Sequence, residues 1–206
     1  MNRKPVEIYL PSDYLESIDK NISLVIMGKD PYPTNPTNIP FCKGSWKEQT
    51  MWNCSGKFVL QSLGFMVDEL KFEYSCPRSL FQSLAENGIV FLNLSYQYVG
   101  RSLVMKDDAE MIKKYTQINL PFLTAAKTIL ACGEAKRIIW SREREIKEMY
   151  QIEKILNVTH PDIRNRNSIY PKTKLGWENY WGENKLWEKY NIPIGLAGHI
   201  SRSLEV

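Results

Sequence analysis

Four short apolar runs set the limits on what this chain can fold into. Ser23–Met27, Ile89–Leu92, Thr128–Ala131 and Lys154–Val158 each have the length of a strand and are too short for an independent helix. Both faces of the runs are apolar, as in parallel strands covered on two sides, and unlike a half-exposed antiparallel sheet. Helical patterns lie between them. SCPRSLFQSLAENG offers Ser75 or Cys76 as an N-cap and Pro77 at the first helical position, with Leu80, Phe81 and Leu84 on one face and Gly88 as a stop. Asp107 and Asp108 open a second helix, where negative charge suits the N-terminal dipole. Met111, Ile112 and Tyr115 mark its buried side, and Pro121 is its expected break. After Gly133, EAKRIIWSREREIKEMY reads as a third, highly charged helix. Strands alternating with helices predict right-handed crossovers and an α/β fold: a three-layer α/β/α sandwich around a four-stranded parallel sheet.

A chain of 206 residues, 43% of them hydrophobic, is long enough to bury a core without metal or disulfide staples. No Gly/Ser-rich linker or repeat divides it, so residues 1–206 are expected to form a single domain, with about 172–206 an aromatic-rich C-terminal extension of it. No apolar run approaches the length of a bilayer span, and the first twenty residues lack the uninterrupted apolar core of a signal peptide. A soluble, cytoplasmic, monomeric protein with no membrane contact is expected. Cys42, Cys54, Cys76 and Cys132 show no metal-ligand spacing, and His160 and His199 are the only histidines, so neither a metal nor a cofactor is expected. The net charge of +4 is compatible with nucleic acid and with many ordinary enzymes. Six tryptophans suit either unstacked bases or a plain aromatic core.

The residues just past each strand are more informative. The first run leads into Gly28, Lys29 and Asp30, the second into Asn93, the third into Cys132 and Gly133, and the fourth into Thr159, His160 and Pro161. In a parallel sheet these ends share one edge, and ligands of open α/β sheets bind outside the carboxyl ends of the strands. An acid, an amide and an imidazole from distant parts of the chain are therefore expected around one crevice. Each has a plainer reading taken singly: Asp30 as a helix N-cap, Asn93 as a turn former, His160 as a loop histidine.

Three phrases carry a family resemblance. GKDPYPTNPTNIPF resembles the water-activating motif of the uracil-DNA glycosylase superfamily, FLNLS its base-recognition strand, and THPDIRNRN its catalytic-histidine and DNA-wedge motif. TILACGEA falls where that family has a strand entering a glycine. The resemblance runs from about Leu24 to Asn167. The proline after DPY and the arginines after HP are closest in style to the family 1, poxvirus-type branch.

The resemblance implies a monofunctional DNA glycosylase that flips uracil from DNA and leaves an abasic site in base excision repair. Asp30 would stabilise the cationic sugar and align water, and His160 would donate to the departing base. Phe41 would stack on the flipped base and Asn93 would pair with its Watson–Crick edge. Tyr32 would reject the thymine methyl, and Lys29 stands where the family usually has glutamine. Ile163 or Arg164 would wedge into the duplex, while Arg164, Arg166 and Lys172 would meet phosphates. Its partner would be double- or single-stranded DNA. Its place would be the cytoplasm, beside a prokaryotic nucleoid or in a host-cell compartment if viral. The prolines at 31, 33, 36 and 40 would stiffen the loop.

Two other readings stay open. One is a glycosylase for a modified pyrimidine in phage or viral DNA, acting in surveillance or antiviral defence. The other is a non-catalytic DNA-binding scaffold or processivity partner, against which the joint presence of Asp30 and His160 weighs. The C-terminal stretch can pack as an extra helix through Trp177, Tyr180, Trp181 and Trp187, or serve as a partner surface.

Overall fold

A computed structural model of the chain describes residues 7–32, 34–138 and 154–190. The strands are β1 (Ile22–Gly28), β2 (Ile89–Asn93), β3 (Ala126–Cys132) and β4 (Lys154–Val158). The helices are α1 (Ser12–Glu16), α2 (Trp46–Gln49), α3 (Ser55–Ser62), α4 (Pro77–Glu86), α5 (Met105–Ala125), α6 (Ile163–Arg166), α7 (Pro171–Trp181) and α8 (Lys185–Tyr190). The described residues form two compact units, one from the residues up to Pro40 with Leu84 to Asn157, the other from Phe41 to Ser83 with Val158 onward.

The first unit is built on a four-stranded parallel sheet in the order β2-β1-β3-β4. All four strands coincide with the apolar runs, each reaching at most two residues further at either end. Leu24, Val25, Ile26 and Met27 of β1 are fully or almost fully buried, as is every residue of β2, because apolar groups on both faces are withdrawn from water. The register sets Gly28 of β1 level with Asn93 of β2. Before β2 the chain turns at Gly88, whose φ of +76° suits glycine, and a Cβ there would collide with the Asn21 carbonyl.

Sheet edges need covering, and β2 lies at one. The Tyr14 side chain, wholly buried, reaches across it: its hydroxyl accepts from the Phe91 N–H at 2.8 Å and donates to the Phe91 carbonyl at 3.4 Å. One hydroxyl thus serves both backbone groups that this residue turns outward.

Helix α5 departs from expectation by running through Pro121 to Ala125. Pro121 is exposed, and the carbonyl it cannot pair belongs to Gln117, which is exposed too, so water can satisfy it. At the other end Asp108 accepts from the Val104 N–H at 2.6 Å, capping the helix that the aspartates were expected to open. The charged helix expected after Gly133 begins as a short 3₁₀ turn over Gly133–Arg137; its remainder, 139–150, lies outside the described residues.

The second unit packs aromatic groups from the C-terminal helices. Trp177 meets Phe58 of α3 edge-on at 5.2 Å, and the Arg166 guanidinium lies over both rings, at 5.5 and 5.8 Å. The Trp181 indole N–H donates to the Thr159 carbonyl at 2.6 Å, which ties α7 to the chain just before His160. Trp177 and Trp181 are core residues, Tyr180 and Trp187 half-buried, and His199 lies outside the described residues.

Tyr14→Phe keeps the ring and removes the hydroxyl from the Phe91 backbone. It is expected to destabilise the protein by about 1–3 kcal/mol in chemical denaturation, the usual cost of disrupting a buried backbone hydrogen bond. An unchanged unfolding midpoint and slope would mean that the edge of β2 does not depend on Tyr14.

Candidate active site

In the first unit the site residues gather where β1 and β2 end. Asp30 lies two residues past β1, and its side chain is only 7% exposed. One carboxylate oxygen accepts from the Val99 N–H at 3.0 Å and lies 3.4 Å from the Lys29 ammonium. Burial pushes the Asp30 carboxyl above its ordinary pKa, and the negative charge of Glu134 adds to this. The Val99 N–H and Lys29 pull the other way.

Lys29, expected at the base, instead sits among acceptors: Nζ donates to the Arg101 carbonyl at 2.9 Å and stands 3.8 Å from Glu134. Here it neutralises buried negative charge and holds the chain after β2. That connection is fastened at several further points. Leu103 N–H donates to Glu134 at 3.3 Å, and the Arg101 fork grips Asp108 at 2.8 and 2.9 Å. The Arg101 guanidinium in turn holds the Asp108 carboxyl below the usual carboxylate range.

Asn93 ends β2, 2% exposed. Its backbone carbonyl accepts from the Asn119 amide at 2.8 Å, whereas its own side-chain Nδ2 is buried with no hydrogen-bond partner. An unpaired buried donor is costly.

Tyr32 is 65% exposed and leans on Tyr98, ring centres 6.2 Å apart. The loop it opens is knitted by more than its prolines: Asn35 donates to the Ile39 carbonyl at 3.2 Å, while Thr37 donates to Asn35 at 3.1 Å. Pro33 lies outside the described residues.

In the second unit Phe41 and His160 come together, ring centres 5.8 Å apart and planes at 47°. The His160 backbone carbonyl accepts from the Asp162 N–H at 2.7 Å and the Asn165 amide at 3.0 Å, which sets the loop before α6.

The fold is similar to that of a solved UNG. The structure is that of the wild-type UNG from Nitratifractor salsuginis, with a TM-score of 0.45 and 12% identity over 84% of this chain and 74% of that one. No family model and no curated protein sequence matches the chain.

The expected DNA contacts after His160 are differently engaged. Arg164 forks onto Asp162 at 2.7 and 3.0 Å, and Arg166 covers Phe58 and Trp177. Ile163 is half-buried in α6. Lys172, in the first turn of α7, is exposed, and beside it Ile169 and Tyr170 are 86% and 68% exposed; these two had no sequence signal beyond lying past the motif. Glu134 was also missed, although its place just after β3 is the same cue that singled out Asp30 and Asn93. Among the described residues no group of three or more His, Cys, Asp or Glu is placed to hold a metal, and no helix is long and apolar enough to cross a membrane.

The Asp30 charge has a consequence for stability. Folding raises its pKa, so its contribution is full below the ordinary carboxylate value, near 4, and is lost as pH rises through the raised one. Asp30→Asn removes the charge yet keeps an acceptor for Val99. The variant is expected to melt at or above the parent's temperature at about pH 8 and to lose that advantage near pH 4. A melt several degrees lower at the higher pH would show that Lys29 stabilises the carboxylate by more than its burial costs.

Proposed function

We propose that the protein is a monofunctional DNA glycosylase that extrudes uracil and hydrolyses its N-glycosidic bond. The observation that carries this is the unpaired Nδ2 of Asn93 at the strand end beside Asp30. Uracil presents a carbonyl at C4 that takes such a donor, whereas cytosine presents an amino group there. The motif resemblance of the DPY, NLS and THP segments supports the same reading.

Each group has a part in the chemistry. Bond cleavage leaves positive charge on the sugar and negative charge on the base. The buried Asp30 carboxylate faces the first and orients water, and in dry surroundings its field is stronger than in solvent. His160 donates toward the base oxygen, and the Phe41 ring beside it stacks on the extruded base. Water and the DNA are the only reactants this scheme calls for.

One observation favours a second substrate. A wall that rejects C5 substituents should be packed, yet Tyr32 is 65% exposed and leans on another aromatic side chain, Tyr98. A pyrimidine enlarged at C5 is therefore the alternative substrate on the same catalytic groups. A defence role goes with this second substrate, while the poxvirus-type branch and the cytoplasmic place rest on the motif resemblance and go with either reading.

The deciding experiment presents matched oligonucleotides bearing uracil, thymine, cytosine or 5-substituted pyrimidines, with alkali to reveal abasic sites. Excision of uracil is expected, reduced by about 10²–10⁴-fold in Asp30→Asn while DNA binding persists. Cleavage confined to a 5-substituted base would transfer the mechanism to the second substrate. Binding without cleavage of any base would refute a glycosylase. If Tyr32 turns in to wall off C5 when a base is bound, thymine becomes a substrate in Tyr32→Ala; continued refusal would remove Tyr32 from selectivity, in keeping with its exposure here.

A further inference from the structure

We propose that Gln49 is a positioning residue for Phe41, holding its backbone in a conformation it would not keep alone. The geometry stands by itself; the consequence for the flipped base rests on the glycosylase reading. Phe41 has φ of +65°, in the left-handed region that an aromatic residue occupies only when its surroundings hold it there.

Gln49, at the end of α2, is wholly buried, which a primary amide tolerates only when both of its ends are bonded. Its Nε2 donates to the Phe41 carbonyl at 3.2 Å, and its Oε1 accepts from the Lys43 N–H at 2.7 Å. One side chain therefore brackets the backbone on either side of Cys42, itself fully buried. The task needs a donor and an acceptor side by side at this reach. Glutamate lacks the donor, methionine lacks both, and asparagine is a methylene short.

Gly56, in the first turn of α3, closes the other side. A Cβ there would collide with the Phe41 carbonyl and with the Gln49 amide nitrogen, so the carbonyl is seated against bare backbone. With the carbonyl aimed by Gln49 and confined by Gly56, the direction of the Phe41 side chain is no longer free. That direction is the one that sets its ring 5.8 Å from the His160 ring. None of this is visible in the motif that ends on Phe41, because Gln49 and Gly56 lie beyond it and carry no chemistry of their own.

The test uses the full-length protein and Gln49→Met, which keeps length and volume but neither hydrogen bond. The first arm reads the ¹³Cα and ¹³Cβ shifts of Phe41, which report its backbone region. They are expected to show the left-handed conformation in the parent and to leave it in the variant. The second arm is a double-mutant cycle on excision from a uracil oligonucleotide. Gln49→Met and Phe41→Ala are each expected to lower kcat/KM by roughly tenfold or more, the scale of one base–aromatic stack. Gln49→Met is expected to add little on a Phe41→Ala background.

A residue that merely stabilised the fold would show the same penalty in both backgrounds. Such additivity, or Phe41 shifts unmoved by Gln49→Met, overturns the proposal. If Gln49→Met does not fold, Gln49→Glu carries both arms, since it keeps the Lys43 bond and loses the one to Phe41. Absence of excision by the parent on every base would overturn the glycosylase reading, and the Phe41 shifts would still decide the lock.

Discussion

Burying a carboxylate at the end of a central strand is a cost that the surrounding chain has to meet, and much of the first unit is arranged around it. Asp30 is withdrawn from water, so its oxygens need donors. Val99 N–H is one, and Lys29 brings the opposite charge within 3.4 Å. Lys29 in turn needs acceptors, which it finds in the Arg101 carbonyl and Glu134. Those bonds fix the connection between β2 and α5, whose remaining slack is taken up by Arg101, Asp108 and the Leu103 N–H. The chain after β2 is thus shaped by the charge after β1. Even so, burial still outweighs the donors and leaves the carboxyl above its ordinary pKa. On the glycosylase reading, that poor solvation is what lets the field of the carboxylate be felt by a developing cation.

The sheet was legible because its signal is local and redundant. β1 and β2 are almost unbroken apolar runs whose two-sided burial leaves no alternation to misread, while β3 and β4 kept enough of that character to be read despite an exposed Lys127 and an exposed Asn157. The positions of Asp30, Asn93 and His160 at or just past strand ends were legible for a related reason, since place after a strand is a one-dimensional cue. Pro121 misled because a proline in a helix is tolerated when the carbonyl it orphans faces water, and exposure is not written in the neighbouring residues. The packing of Arg166 was not legible: its guanidinium lies over Phe58 and Trp177, each far from it in the chain or a helix away.

Lys29 shows the limit most clearly. By position it belongs to the motif, and the motif suggested a role at the base. Its three partners lie at 30, 101 and 134, one of them in the connection after β2 and one at the head of the charged helix expected after Gly133. Side-chain partners are set by which loops the sheet order brings together, and loops carry little periodicity from which to infer it. The same applies to Tyr14, whose wholly buried hydroxyl closes a sheet edge from a helix of five residues with no strong pattern of its own.

One unsatisfied buried group and one left-handed residue belong to the proposed chemistry, while others, Trp177 Nε1 and Tyr190 Oη among the first and Asn38 and Asn184 among the second, lie elsewhere. Asn93 keeps a buried donor without a partner, and Phe41 keeps a left-handed backbone; each departs from what packing alone would select. Both departures are also supported by neighbours: Asn119, which accepts from the Tyr96 hydroxyl at 2.6 Å, fixes the Asn93 carbonyl from α5, and Gln49 with Gly56 fixes the carbonyl of Phe41. In each case the anchor grips the backbone and not the side chain. A strand-end amide held by its main chain can present Nδ2 without the anchor competing for it. On the glycosylase reading, support placed on the backbone would let a rigid frame carry side chains that exchange one partner for another as the base arrives and departs.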